Sequence, residues 1–314
     1  MSVFNIVAPV FALIAIGFAA VRGGVLSAAG HKGIAEFAFT IAIPALLFRT
    51  MVTTGLPAVS PLRLWGAYMG AVLVTWGIAI AATRLLLRRP AQDAVAIAMS
   101  ATYGNVVILG IPLALGAFGA AASAPMALII AVHSPLLWVI GIAAMAWADR
   151  NPDESVAMLV RTFVRELARN PVILSIIGGL LWRWTGLGLH PAVDRTLALL
   201  AQAGVPCALI ALGASLTQFE IKGQAATLTA LMVVKLAVMP LVAWVLAFEV
   251  FALPPVEAGV TVLFAAMPAG ANAFLFASRY GRAVNSTSGA VALGTVLAAL
   301  SASALIAALG TAPG

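Results

Sequence analysis

Apolar runs of about 18–25 residues, separated by short polar connections, recur along this 314-residue chain. That is the length a helix needs, at 1.5 Å per residue, to cross roughly 30 Å of hydrocarbon. Lipid offers the backbone no hydrogen bonds, so such runs must satisfy their own as helices. The fold class is therefore an all-α polytopic membrane protein. Composition agrees, with 63% hydrophobic and 9% charged residues, where a soluble domain carries about 25% charged. The single Cys207 lies in an apolar run, so no disulfide forms within one chain. A net charge of +7 would suit nucleic acid, but the basic residues sit at the ends of the runs. There they act as a topology signal, and no nucleic-acid partner is expected. The start, Met1-Ser2-Val3-Phe4-Asn5, has no basic region and leads into a spanning run, so no cleavable signal peptide is expected.

Ten spans are expected, at roughly 3–21, 34–54, 62–83, 94–117, 124–147, 171–188, 196–216, 225–249, 255–278 and 286–309. The longest connection, 149–170, divides them into a first five-helix repeat (1–148) and a second (171–314). The odd-numbered connections hold Arg22, Lys32, Arg84, Arg88, Arg89, Arg150, Arg161, Arg165, Arg169, Lys222, Arg279 and Arg282. The even-numbered ones hold Arg63, Arg183 and Arg195. The positive-inside rule then makes the odd connections cytoplasmic, with both termini outside an inner (plasma) membrane. Five spans per half give the halves opposite orientation, an inverted repeat.

Two spans are broken near mid-depth. The fourth holds Tyr103-Gly104-Asn105 and Gly110-Ile111-Pro112; the ninth holds Met267-Pro268-Ala269-Gly270-Ala271-Asn272. A break there frees backbone groups, which is tolerated only where they line a cavity or bind something. Breaks at corresponding positions of two halves point to a transporter's binding site. Asn105 lies about 17 Å into its span, and its amide offers two donors and an acceptor; the plainer role is to glue helices together. Pro112 and Pro268 each remove a helix hydrogen bond. Gly110 and Gly270 allow close backbone approach, and Asn272 is placed to match Asn105. Crossed breaks would aim the positive ends of half-helices at an anion.

Two further residues suit coupling or charge compensation. Lys235 lies about ten residues into the eighth span, where a charge is costly and is functional by default unless it snorkels out or neutralises a helix end. His133, in the fifth, carries a charge that changes near neutral pH, or is simply bonded to a neighbouring helix. Arg49 is close enough to the outer end of its span to snorkel. The acidic residues Glu36, Asp93, Asp194, Glu249 and Glu257 all fall near span ends, which leaves carboxylate-driven ion coupling without an obvious carrier. No metalloprotease motif, paired intramembrane aspartates or phosphate loop occurs, so no enzyme, cofactor or metal is expected.

Four stretches carry a family resemblance. They are Phe39 to Phe48, with Ile43-Pro44-Ala45-Leu46-Leu47 at its centre; Asn105-Val106-Val107-Ile108-Leu109-Gly110-Ile111-Pro112; Pro206-Cys207-Ala208-Leu209 through Leu216; and Met267 to Phe274 followed by Tyr280-Gly281. In this order, over the full length, the chain resembles the auxin efflux carrier family, whose bacterial members include malonate and other dicarboxylate permeases. Val107 departs from that family's N-x-G-x-x-G-x-P pattern, where Gly is usual. The resemblance implies ten helices in two inverted repeats with crossed, broken helices four and nine. It also implies a crossover domain (spans three to five and eight to ten) moving against a scaffold (one, two, six and seven) that is often dimeric, and small organic anions as substrates. Asn105, Pro112 and Pro268 are its crossover positions; Asn272, His133 and Lys235 are added on chemistry. The expected function is alternating-access transport of a mono- or dicarboxylate. Its rivals are a sodium-coupled anion symporter of related fold, a membrane receptor that binds an anion without moving it, and a channel.

Overall fold

The computed structural model describes residues 2–54, 59–149, 156–219 and 225–310. Arg150 and Lys222, part of the expected charge pattern, lie outside these residues. Among the described residues the regular elements are all helices, with no strand. In chain order the helices are α1 (Val3–Arg22), α2 (Ala28–Phe37), α3 (Ile43–Thr53), α4 (Pro61–Ala81), α5 (Ala91–Thr102), α6 (Ile111–Phe118), α7 (Ser123–Asp149) and α8 (Val156–Arg169). They continue as α9 (Pro171–Trp184), α10 (Pro191–Leu216), α11 (Ala225–Val233), α12 (Met239–Trp244), α13 (Pro255–Ala265), α14 (Ala271–Tyr280) and α15 (Val284–Leu309). Joined through wider turns, they form seven stretches long and apolar enough to cross a membrane: 3–22, 29–53, 61–86, 106–149, 191–216, 225–250 and 284–309. The 106–149 stretch, at 44 residues, would run about 66 Å as one straight helix, twice the hydrocarbon thickness. It bends instead at Gly119, whose φ of +62° suits glycine. The outer surface carries Ile16, Leu73, Leu241, Val296 and Leu300 exposed, a face for lipid rather than water.

Proline sets the joints. Pro44, Pro112 and Pro240 each follow a five-residue π-helical turn, at Ala38–Ala42, Val106–Gly110 and Val234–Val238. A proline has no N–H, and its ring collides with the carbonyl four residues back. Widening the preceding turn relieves that collision, so that Ile43, Ile111 and Met239 donate instead to the carbonyls of Ala38, Val106 and Val234, five residues earlier.

One local pattern occurs twice. After α4, a π turn ends as Leu87 N–H donates to Ala82 O; after α12, a π turn ends as Phe251 N–H donates to Leu246 O. The next residues, Arg88 (φ 50°) and Ala252 (φ 43°), are both left-handed. Pro90 and Pro254 then cap α5 and α13, and an acid, Asp93 or Glu257, sits in each first turn. Thus the lead into each broken span is built alike.

A very close helix crossing joins α1 to α10. A Cβ on Gly17 would overlap the Ile210 carbonyl, and one on Gly213 would overlap the Ile14 carbonyl. Two facing glycines let the backbones touch, which is how helices associate where lipid removes the hydrophobic drive. α3 packs on α9 in the same manner, with Gly179 against the backbone of Phe48. Arg49 forks onto Asp194, at 2.7 and 3.1 Å, and ties the C-terminal half of α3 to the start of α10.

Candidate functional site

The two breaks meet. Asn105 N–H donates to Pro268 O at 2.8 Å and Gly270 N–H donates to Tyr103 O at 2.9 Å, so residues 103–105 and 268–270 pair as a two-bond antiparallel bridge. Each break thereby satisfies the backbone groups the other leaves free. Space at Gly104 is tight: a Cβ would lie 3.2 Å from Lys235 Nζ, 3.3 Å from Met267 O and 3.4 Å from Phe264 O.

Beside the bridge is a cavity of about 410 Å³, and Asn105, His133, Gly270 and Asn272 all line it. Gly110, Pro112, Pro268 and Lys235 lie outside its lining. Gly110 is filled over by the Phe264 ring, Pro112 lies in the first turn of α6, and Pro268 supplies the carbonyl that holds Asn105. Two helical segments begin at the cavity wall: the π turn at Val106, and α14 at Ala271, behind Gly270. Val106, Val107, Ile108, Ala271 and Asn272 all line the wall. The opening N–H groups of a helix have no carbonyl behind them, and together they act as a partial positive charge. A third start, α9, faces the same space through Asn170 to Ile173, although Asn170 already accepts from Val172 and Ile173 N–H. Arg169 also lines the cavity, and among the described residues no carboxylate does. Asn105 is 93% buried by its 7% exposure, and its side chain makes no hydrogen bond among the described residues. Helix starts and one arginine thus share the wall with an amide that has no protein partner among the described residues.

Hydrogen bonds fix the wall. Asn272 Nδ2 donates to Tyr103 Oη at 2.8 Å, and Tyr103 Oη donates to Ser134 Oγ at 2.5 Å. His133 lies edge-on to Tyr103. Its Nε2 is 3.2 Å from Gly104 O and its Nδ1 2.9 Å from Tyr68 Oη. A carbonyl only accepts, so Nε2 carries the hydrogen and Nδ1 accepts from the tyrosine. His133 thus holds the Gly104 carbonyl from α7, while buried Tyr68 on α4 fixes the ring.

Sequence reasoning missed Tyr68 and Tyr103 as site residues and took Arg169 for a topology charge alone. One signal was present: the chain has only three tyrosines, and Tyr103 directly precedes Gly104-Asn105. Among the described residues no cluster of His, Cys, Asp or Glu could hold a metal ion.

A family model described as "Membrane transport protein" matches residues 2–306. A curated protein of Rhizobium meliloti (strain 1021) named "Putative malonate transporter" is 26% identical over 307 residues, covering 96% of this chain and 94% of that relative.

Proposed function

We propose that this chain, which belongs to the membrane transport protein family, that of the auxin efflux carriers, is a secondary carrier of a small organic anion, malonate or a similar carboxylate. One observation carries the reading: a cavity of about 410 Å³ that gathers two half-helix starts, Asn105 and Arg169, with no carboxylate among the described residues that line it. That volume suits a small molecule, which such pockets enclose at roughly 300–1,000 Å³. The N–H groups at Val106–Ile108 and at Ala271 would bind the carboxylate, with Asn105 as the side-chain donor. The name of the Rhizobium relative supports malonate as the first acid to test.

The mechanism is alternating access. Ten spans in two inverted five-helix repeats account for the paired breaks and for the twice-used π turn, left-handed residue and proline cap. The crossover domain, holding both breaks, moves against a scaffold in which α1 and α10 are locked by facing glycines. Arg169 at the cavity rim belongs to the arginine-rich connection, so the present opening faces the cytoplasm under the positive-inside rule. An anion leaving an inside-negative cell gains about 2.3 kcal/mol per charge per 100 mV, so export needs no coupled ion, while import does.

Uptake of labelled malonate and of an aromatic carboxylate into proteoliposomes, under potentials of either sign, tests the reading. Saturable malonate flux is expected. Linear, unsaturated flux would make the protein a channel, and no flux of either acid by folded protein would refute transport of this class. His133→Ala removes the donor that holds the Gly104 carbonyl, a bond worth about 1 kcal/mol. Malonate affinity should fall roughly fivefold, which equilibrium binding would read directly.

A further inference from the structure

Lys235 has no assigned part in binding, yet it is wholly buried, on the π turn that precedes α12. Its Nζ donates to Ala265 O, the last residue of α13, at 3.3 Å, and to the Met239 sulfur at 3.1 Å. An ammonium has three hydrogens to place and an uncharged amine two, and two acceptors, one a weak thioether, match the amine. A buried lysine that stays charged is normally paired with a carboxylate. The helices packed against its turn are α4, α5, α11, α12 and α15, with α13 reached through Ala265. Their ionisable residues are Arg63 and Tyr68 on α4, Asp93 on α5 and Glu257 on α13. Arg63 is bonded to the carbonyls of Phe251 and Ala252, and Asp93 lies within 4.0 Å of both Arg89 and Arg282. Glu257 is in the opposite turn of α13 from Ala265, about 12 Å away along the helix. Tyr68 is turned to His133. No carboxylate among the described residues is therefore in place to pair with Lys235.

What does lie next to it is the anion cavity, beyond a single peptide. Gly104 lines that cavity, and Lys235 Nζ approaches Gly104 from the other side, 3.2 Å from where a Cβ would stand. We propose that Lys235 is the proton site of this carrier: its amine takes up one proton from water as the anion enters the cavity, and anion and proton cross the membrane together. The substrate is then the counter-ion that the protein does not supply. A negative charge across one peptide favours the ammonium, and by linkage the ammonium favours the anion to the same degree. His133, also ionisable and beside the crossover, is poorly suited to this task, because Gly104 O and Tyr68 Oη already use both its nitrogens.

The inference rests on the anion-site reading above, and one titration separates the two. Malonate is titrated calorimetrically into the purified full-length protein at pH 7.5, in phosphate and in Tris, whose ionisation enthalpies differ. The wild type should take up protons as malonate binds, through linkage. Lys235→Met should bind malonate several-fold more weakly and take up none. His133→Gln should bind more weakly yet keep the uptake, which decides the matter even if Lys235→Met does not fold. Wild-type binding without proton uptake, or uptake lost in His133→Gln, would overturn the role of Lys235 and leave the anion site standing. Absence of malonate binding by the wild type would overturn both.

Discussion

Asn105→Ala is expected to lower malonate affinity roughly 10- to 100-fold, because a hydrogen bond to a charged group contributes about 1.5–3 kcal/mol. The side chain is nearly enclosed, faces the cavity and has no protein partner among the described residues. Its loss therefore leaves no orphaned group in the empty protein. The backbone of residue 105 makes the bond to Pro268 O, and alanine retains that N–H, so the bridge survives. The unfolding temperature without substrate should thus be close to that of wild type, while the stabilisation gained on adding malonate should largely disappear. Titration of proteoliposome flux and thermal unfolding with and without malonate measure both halves of the expectation. A variant that binds malonate as wild type does would move the site away from the crossover.

The second large effect concerns the scaffold. Gly213→Ala should cost folded protein outright, although it adds a single methyl group. The new Cβ would overlap the carbonyl of Ile14, a backbone atom in the middle of α1 that no side-chain rotation can move aside. The two helices would have to separate along the crossing, and Gly17 against Ile210 would lose its contact as well. Overpacking of a tight core costs about 1–3 kcal/mol and occasionally more, and this contact, made by backbone, belongs at the upper end. A clear fall in unfolding temperature and in monodisperse yield is expected, with or without malonate. Gly33→Ala is the control, since a Cβ there meets nothing within 4 Å. Equal stability of the two variants would mean that the helices cross less closely than described.

How far the sequence leads depends on how local the cause is. The breaks at residues 103–105 and 266–270 were legible because Gly, Pro and Asn within long apolar runs act on their own backbone. The prolines at 44, 112 and 240 mark joints for the same reason, although the widened turns before them do not follow from composition. Asn105 stood out as an amide beside such a break. Arg169 did not, because nothing in its own neighbourhood separates a rim residue from an ordinary connection charge. The same is true of Tyr68, which meets His133 from 65 positions away.

The sequence by itself therefore determined that this is a helical membrane protein and where its helices fail, since apolar length and missing N–H groups are properties of each segment. Only the tertiary structure decided that the two failures meet, that residues of both line one cavity, that His133 is held from both sides, and that Lys235 is buried with no carboxylate beside it among the described residues. The rotation of each helix about its own axis settles all four. That rotation is set by close packing between distant segments, down to single glycines such as Gly17 and Gly213, and is encoded in no one of them alone.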